Sequence, residues 1–120
     1  MFPFRRGVRR LTPEQAHQRA AGHDGVVLLD VREPHEWQAG HAPGAVHAPL
    51  SELVAGGELP VTARSRPLVV ICRSGQRSQQ AAKLLAKRGA RATDVKGGMR
   101  AWADAGLRVV DVRGNSGSIA

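Results

Sequence analysis

Apolar and polar segments alternate along the chain in a pattern that predicts β-strands interleaved with α-helices. Residues 26–31 form an apolar run interrupted only by Asp30, which is typical of a strand buried on both faces, and residues 68–71 form a second such run. Residues 76–88 show the strongest helical pattern, with apolar positions at helical spacing and a glycine directly after the end. The two apolar runs therefore predict two buried strands.

The remaining predicted elements are shorter and are marked by caps and turn residues. Thr12, followed by Pro13 and Gln15, has the pattern of a helix start with a capping box. This alternation favours an α/β fold with an open, mostly parallel sheet and helices on both faces. Further helices are predicted over residues 34–39, 50–55 and 99–104, and further strands over residues 45–48, 92–95 and 109–112.

A single small domain accounts for a chain of 120 residues. We expect a basic lead-in over residues 1–10, the folded domain over residues 11–112 and a frayed tail over residues 113–120. A targeting segment at the arginine-bearing start is the less favoured alternative. One cysteine cannot form an internal disulfide, which fits a reducing compartment or indifference to compartment. Residues 1–10 lack the central apolar stretch of a secretory signal, so we expect a cytoplasmic protein. No apolar run has the length that a membrane span needs, and no membrane partner is expected.

The net charge of +8 raises the question of a nucleic-acid partner. The 15 arginines are scattered, and with no Tyr, two Phe and two Trp there is little aromatic surface on which bases could stack. We therefore expect no nucleic-acid partner. A positive field suits a small anionic ligand instead, although a solvated basic surface explains most of the charge equally well.

Cys72 lies where a predicted strand ends and a predicted helix begins. A lone cysteine after an apolar run is most often a small buried core residue. Here the following residues favour a reactive thiolate, because Gly75 allows a sharp turn and Arg73 and Arg77 supply positive charge. Backbone N–H groups at a helix start add to this stabilisation. We therefore interpret Cys72 as a nucleophile in an anion-binding loop.

The loop from Cys72 to Ser78, with the sequence Cys-Arg-Ser-Gly-Gln-Arg-Ser, resembles the active-site loop of rhodanese-type sulfurtransferases. Residues 29–37, 40–45 and 97–102 resemble further segments of the same family, in the family's order. Together these segments cover about residues 11–110. The resemblance implies a five-stranded sheet with the cysteine loop between the central strand and its helix.

The resemblance also implies thiosulfate sulfurtransferase activity through a Cys72 persulfide. Cys72 would attack the outer sulfur of thiosulfate and expel sulfite, and cyanide, a thiol or a protein thiol would accept the sulfur. Because the chain has no second cysteine, the acceptor has to be another molecule. No metal and no organic cofactor is expected. The residues expected to bind the donor are Arg73, Ser74, Gly75, Gln76, Arg77 and Ser78.

Asp30 and Arg32 are interpreted as support residues beside this loop. Asp30 would hold the loop through hydrogen bonds and Arg32 would add a positive charge, while an ion pair of Arg32 with Glu33 or Glu36 is an equally open alternative. A catalytic pair of Cys72 with His41 is less favoured, because persulfide formation needs no base. The histidines do not have the spacing of a metal site. Gly97, Gly98 and Trp102 are expected to serve the fold.

Two other classes of function stay open. Thiol-based phosphatases and arsenate reductases use a related loop, but theirs has five residues between cysteine and arginine, whereas four residues separate Cys72 from Arg77. A non-catalytic interaction or sulfur-carrier module is the other alternative. The presence of Cys72 together with Gly75, Arg73 and Arg77 favours the enzyme.

Overall fold

A computed structural model describes residues 9–22 and 24–120 of the chain. Its sheet has five strands in the order β1-β5-β4-β2-β3, and every neighbouring pair is parallel. This confirms the predicted α/β class and places the strand before Cys72 at the centre of the sheet. The strands are β1 (Arg10–Leu11), β2 (Val27–Asp30), β3 (Val46–His47), β4 (Leu68–Ile71) and β5 (Ala92–Val95).

Helices connect these strands and cover both faces of the sheet. The first helix begins after Thr12, whose side chain accepts a hydrogen bond from Gln15 N, and the capping box is complete. A short 3₁₀ helix (Val61–Ala63) lies in the long connection before β4. The α-helices are α1 (Pro13–Ala21), α2 (Pro34–Ala39), α3 (Leu50–Val54), α4 (Arg77–Lys87) and α5 (Gly98–Asp104).

Every residue of β2 and β4 is buried, which is why both strands are apolar on successive positions. Side chains alternate between the two faces of the sheet. Val70 and Cys72 pack in a cluster with Leu85 of α4, while Val69 and Ile71 pack in a second cluster on the other face. The second cluster includes residues of α1 and α5. The two cores therefore fix both sides of the strand that leads to Cys72.

The carboxyl ends of β2 and β4 lie side by side, with Asp30 opposite Ile71 in the register. Residues that follow these strands are thereby brought to one edge of the sheet. Cys72 follows β4 directly, and Arg32 comes two residues after the end of β2.

The two ends of the chain differ from the sequence-based expectations. Arg10, assigned above to the lead-in, forms β1 and pairs with β5, while residues 1–8 lie outside the described residues. The strand expected over residues 109–112 is reduced to isolated bridges of Val110 with His41 and Ser116. The expected frayed tail folds back, because Ser118 N donates to Ala39 O and Ile119 packs against the second core cluster. Within the described residues, no helix is long and apolar enough to cross a membrane.

Candidate active site

Cys72 is 1% exposed and lies at the bottom of the loop that joins β4 to α4. The loop turns at Gly75, whose φ of +99° is a conformation that side chains disfavour. A Cβ atom at this position would lie 2.8 Å from Arg10 Nη2 and 3.0 Å from Gly97 N. The turn around the sulfur therefore requires glycine, as the sequence analysis expected.

Two groups contact the sulfur atom. Gly75 N donates to Cys72 Sγ over 3.1 Å, and the Cys72 thiol donates to Ser78 Oγ over 3.4 Å. Ser78 is fully buried in the first turn of α4, where its hydroxyl donates to Asp94 Oδ2 over 2.8 Å. The sulfur is thus held from both sides of the loop by the residues expected at positions 75 and 78.

Two backbone hydrogen bonds connect the start of α5 to the cysteine loop. Met99 N donates to Cys72 O over 2.7 Å, and Arg100 N donates to Arg73 O over 3.0 Å. A Cβ at Gly98 would lie 2.4 Å from Cys72 O, so the close approach of α5 depends on the absence of a side chain there. Gly98 thus serves the candidate site as well as the fold. Trp102, 2% exposed, fills the core as expected.

Arg77, expected to bind the donor, forms a bidentate ion pair with Glu36 of α2. Its Nη1 and Nη2 atoms donate to the two Glu36 carboxylate oxygens over 2.6 and 2.8 Å. The Arg77 hydrogen bonds lower the pKa of Glu36 to about 2, and the same contact raises the pKa of Arg77. The charge of Arg77 is therefore balanced by a carboxylate that the sequence analysis did not assign to it.

The other loop residues lie nearer to solvent. Arg73 is half-buried and its Nε donates to Ala120 O over 2.9 Å, in the C-terminal segment. Ser74 and Gln76 are exposed. The structure therefore places Gly75 and Ser78 against the sulfur, leaves Ser74 and Gln76 at the surface, and engages both loop arginines with protein groups.

Asp30 and Arg32 lie at the same edge of the sheet, fully buried, and bind each other. Arg32 Nη2 donates to Asp30 Oδ2 over 2.8 Å and to Gly40 O over 2.6 Å. The alternative partners considered for Arg32, Glu33 and Glu36, do not form this ion pair. Within the described residues, the side-chain hydrogen bonds of Asp30 all go to Arg32, so the expected hydrogen bonds between the Asp30 carboxylate and the cysteine loop are absent.

Two histidines, His41 and His47, stack on the indole ring of Trp37. His41 stacks on Trp37 with ring centroids 3.6 Å apart, and His47 stacks on the same ring at 4.7 Å. His41 Nδ1 also makes a 2.8 Å hydrogen bond with Trp37 O. Among residues 9–22 and 24–120, His41 makes no hydrogen bond to Cys72, and no cluster of three or more potential metal ligands is found.

Two residues at the site were missed by sequence reasoning. Asp94 is fully buried in β5 and accepts the Ser78 hydroxyl, and Arg10 binds both Asp94 and Gly75 O. A carboxylate inside an otherwise apolar predicted strand is a signal that could have identified Asp94, because buried charges need partners. Arg10 carries no comparable signal, since it is one of several arginines near the start of the chain.

Comparison with known proteins identifies the family. Residues 12–105 match the family described as rhodanese-like domain. The chain belongs to the rhodanese-like family. A sulfurtransferase from Allochromatium vinosum is 36% identical over 109 residues, which cover 89% of this chain and 99% of that relative. The resemblance of the cysteine loop and its companion segments is thereby confirmed.

Two further rhodanese-like relatives support the same assignment. The thiosulfate sulfurtransferase GlpE from Stutzerimonas stutzeri is 35% identical over 98 residues, covering 78% of this chain and 84% of the relative. A crystal structure of a rhodanese-related protein from Thermoplasma volcanium superposes with a TM-score of 0.70 at 30% identity, covering 85% of this chain and 97% of that chain. The family is therefore one of sulfurtransferases with this five-stranded fold.

Proposed function

We propose that this protein is a thiosulfate sulfurtransferase that carries sulfur as a persulfide on Cys72. The observation that carries the proposal is the loop geometry, in which Gly75 N donates to a sulfur atom at the carboxyl end of the central strand. A backbone donor at this position stabilises a thiolate and, after transfer, a negatively charged persulfide. The match to sulfurtransferase relatives supports the same chemistry.

The reaction proceeds as a displacement at sulfur. The Cys72 proton passes to solvent, the thiolate attacks the outer sulfur of thiosulfate, and an S–S bond forms. The S–S bond of thiosulfate breaks, and sulfite leaves with the electron pair. A thiol, cyanide or a protein thiol then attacks the outer sulfur of the persulfide and restores the Cys72 thiolate.

Arg73 and Arg77 flank the loop and supply the positive charge that attracts a dianionic donor. Binding of the donor beside Arg77 competes with the carboxylate of Glu36, which lies within 2.6 Å of it. The exposed residues Ser74 and Gln76 lie between the two arginines and are proposed to contact the donor where it enters. Asp30 and Arg32 are proposed to keep the neighbouring strand end rigid through their buried ion pair. The reaction uses no cofactor, and the single cysteine favours the cytoplasm as its compartment.

A non-catalytic interaction or sulfur-carrier module is the second candidate. The observation in its favour is that Cys72 is 1% exposed and that both loop arginines already contact protein groups. A phosphatase or arsenate reductase is favoured less. The four residues between Cys72 and Arg77 form a loop that fits sulfur better than a tetrahedral phosphate.

Mass measurement of the intact protein after incubation with thiosulfate tests the proposal. We expect one added sulfur atom on the unaltered chain, its removal by cyanide or a thiol reductant, and no addition to Cys72→Ser. Sulfite should be released in equal amount. An unchanged mass under excess thiosulfate, with a persulfide donor equally ineffective, would favour the interaction module. Turnover of aryl phosphates by the unaltered chain would favour the phosphatase.

A further inference from the structure

A chain of hydrogen bonds runs from the buried Cys72 to the partly exposed Arg10 on the edge strand of the sheet. The Cys72 thiol donates to Ser78 Oγ (3.4 Å) and the Ser78 hydroxyl donates to Asp94 Oδ2 (2.8 Å). Arg10 completes the chain, with Nε donating to Asp94 Oδ1 over 3.0 Å and Nη2 donating to Oδ2 over 3.2 Å. Ser78 and Asp94 are fully buried, so no solvent screens their interaction with the sulfur.

The hydroxyl proton of Ser78 forms one hydrogen bond at a time, and it lies between the Cys72 sulfur and the Asp94 carboxylate. A carboxylate only accepts hydrogen bonds, so the Ser78 proton points to Asp94 and a lone pair of its oxygen faces the sulfur. This arrangement matches the protonated thiol. When Cys72 loses its proton, the sulfur and the Asp94 carboxylate compete for the Ser78 proton.

Arg10 acts on both partners of Cys72. It balances the charge of Asp94, and the same Nη2 atom donates to Gly75 O over 2.8 Å. Because Gly75 is the residue whose N–H contacts the sulfur, this bond holds the loop in the orientation that presents its donor. The guanidinium thus ties the sheet edge to the cysteine loop across 65 residues of sequence.

We propose that Arg10 and Asp94 are positioning residues that set the ionisation of Cys72 through Ser78 and Gly75. When Cys72 is ionised, Arg10 still donates two hydrogen bonds to Asp94. The Ser78 hydroxyl then turns its hydrogen bond from Asp94 to the sulfur, which accepts from both Gly75 N and Ser78 Oγ. No covalent bond of Ser78 or Asp94 changes, and the thiol proton goes to solvent. The link to sulfur transfer rests on the proposed function, whereas the effect on the thiol does not.

Other charged groups near the sulfur come from different elements and are engaged with other partners. Arg77 of α4 interacts with the Cys72 charge and is paired with Glu36 of α2. Arg73 follows Cys72 directly and binds Ala120 O. The Asp30–Arg32 pair at the end of β2 is buried and closed on itself. None of these pairs includes Arg10 or Asp94, so substitutions at the two positions act on the thiol through Ser78 and Gly75.

The pH dependence of Cys72 alkylation by iodoacetamide, measured without any sulfur donor, tests the proposal. Arg10→Gln leaves Asp94 as an unbalanced anion, so we expect the midpoint of the profile to rise by about one pH unit. Asp94→Asn removes the competing anion, so we expect the midpoint to fall by about as much. The double variant should return close to the unaltered protein. Arg9→Gln, which removes the neighbouring exposed arginine, is the matched control and should leave the midpoint in place.

A midpoint that rises in Arg10→Gln and falls in Asp94→Asn distinguishes a positioning role from damage to the fold. A disordered loop would lose the Gly75 donor and would raise the midpoint in every variant. A rise in both single variants, or no change in either, would overturn the proposal. Should Asp94→Asn fail to fold, Arg10→Lys decides instead. Arg10→Lys keeps the positive charge, so its midpoint should lie close to that of the unaltered protein. Equal midpoint shifts in Arg10→Lys and Arg10→Gln would overturn the proposed role of Arg10.

The rate of persulfide formation from thiosulfate then connects the effect to turnover. Below the midpoint, Arg10→Gln should slow this step about tenfold, in proportion to the lost thiolate. If the alkylation profiles shift as expected but no variant and no unaltered protein takes up sulfur, the proposed function fails and the positioning role stands.

Discussion

Glu36 is a carboxylate whose pKa is strongly lowered by its surroundings. It is 6% exposed, accepts two hydrogen bonds from Arg77 and also accepts the Glu33 N–H at the start of α2. These donors favour the charged form and lower its pKa from 4.5 to about 2. The ion pair of Glu36 with Arg77 therefore stabilises the fold and holds the Arg77 side chain in place.

Replacing Glu36 with Gln should make the protein less stable near neutral pH by about 2 kcal/mol. This value is below full conversion of the pKa shift, because Arg77 is partly solvated. The pKa is lower in the folded than in the unfolded chain, so the stabilisation is complete above pH 4.5 and is lost as the pH falls towards 2. The difference between the two proteins should therefore shrink across this window.

Urea unfolding of both proteins at a series of pH values measures this difference. Glu52→Gln, which removes an exposed carboxylate on α3, is the control and should differ from the unaltered protein by less than about 0.5 kcal/mol at every pH. A Glu36→Gln deficit that stays constant down to pH 2 would show that the carboxylate acts through packing and not through its charge.

The sequence allowed the loop around Cys72 and its turn at Gly75 to be predicted, because both depend on local order along the chain. Cys72, Gly75 and Ser78 lie within one loop and one helix turn, and their contacts follow from that spacing. The partners supplied by distant elements could not be predicted in this way. Glu36 is 41 residues from Arg77 and Arg10 is 84 residues from Asp94, so only the folded topology brings them together.

The contact between α5 and the cysteine loop leaves no room for a side chain at Gly98. Gly98 has a φ of +60°, and a Cβ there would lie 2.4 Å from Cys72 O and 2.7 Å from Arg73 C. Both atoms belong to the backbone, so relief requires a shift of the helix or of the loop. Such a shift would also break the hydrogen bond from Met99 N to Cys72 O.

Gly98→Ala should therefore destabilise the protein by about 3 kcal/mol and slow persulfide formation by at least about tenfold. Gly106→Ala is the matched control, since its φ is +78° but nothing lies within 4 Å of the added Cβ. Gly106→Ala should lower the free energy of unfolding by only about 1 kcal/mol, because alanine disfavours the positive φ, and it should keep its activity. Thermal unfolding measures the loss of stability, and single-turnover sulfur uptake measures the rate of persulfide formation. Equal losses in Gly98→Ala and Gly106→Ala would show that the close approach of α5 to the loop is not the cause.

The regular elements were largely predicted, because caps, glycines and apolar runs mark them locally. The predicted helix over residues 76–88 corresponds to α4 (Arg77–Lys87), and the predicted strand over residues 92–95 matches β5. The strand β1 was missed since two residues give no periodic pattern, and it exists because Arg10 and Leu11 pair with β5. Edge strands of this length are determined by tertiary contacts and not by propensity.

In the molecule as a whole, the C-terminal segment over residues 113–120 packs back onto distant parts of the chain. Gly117 N donates to Val109 O, and Ser118 N donates to the O atom of Ala39, the last residue of the helix that carries Glu36. The segment is polar and rich in small residues, which predicts fraying. Its position depends on a close approach to Gly40, where a Cβ would lie 2.3 Å from Ser118 O. No local pattern reveals such an approach.

Removal of residues 113–120 should lower the free energy of unfolding by about 2 kcal/mol, through the lost burial of Ile119 and the lost backbone hydrogen bonds. For a chain of 120 residues this corresponds to a fall in Tm of about 8 °C. Ile119→Ser should reproduce part of the loss, whereas Val112→Ser, at an apolar residue that is 61% exposed, should leave Tm nearly unchanged. Thermal unfolding of the four proteins compares these values. An unchanged Tm in the shortened chain would show that the segment frays, as its composition predicts. A fall matched by Ile119→Ser would instead assign most of the stabilisation to one apolar side chain in the second core.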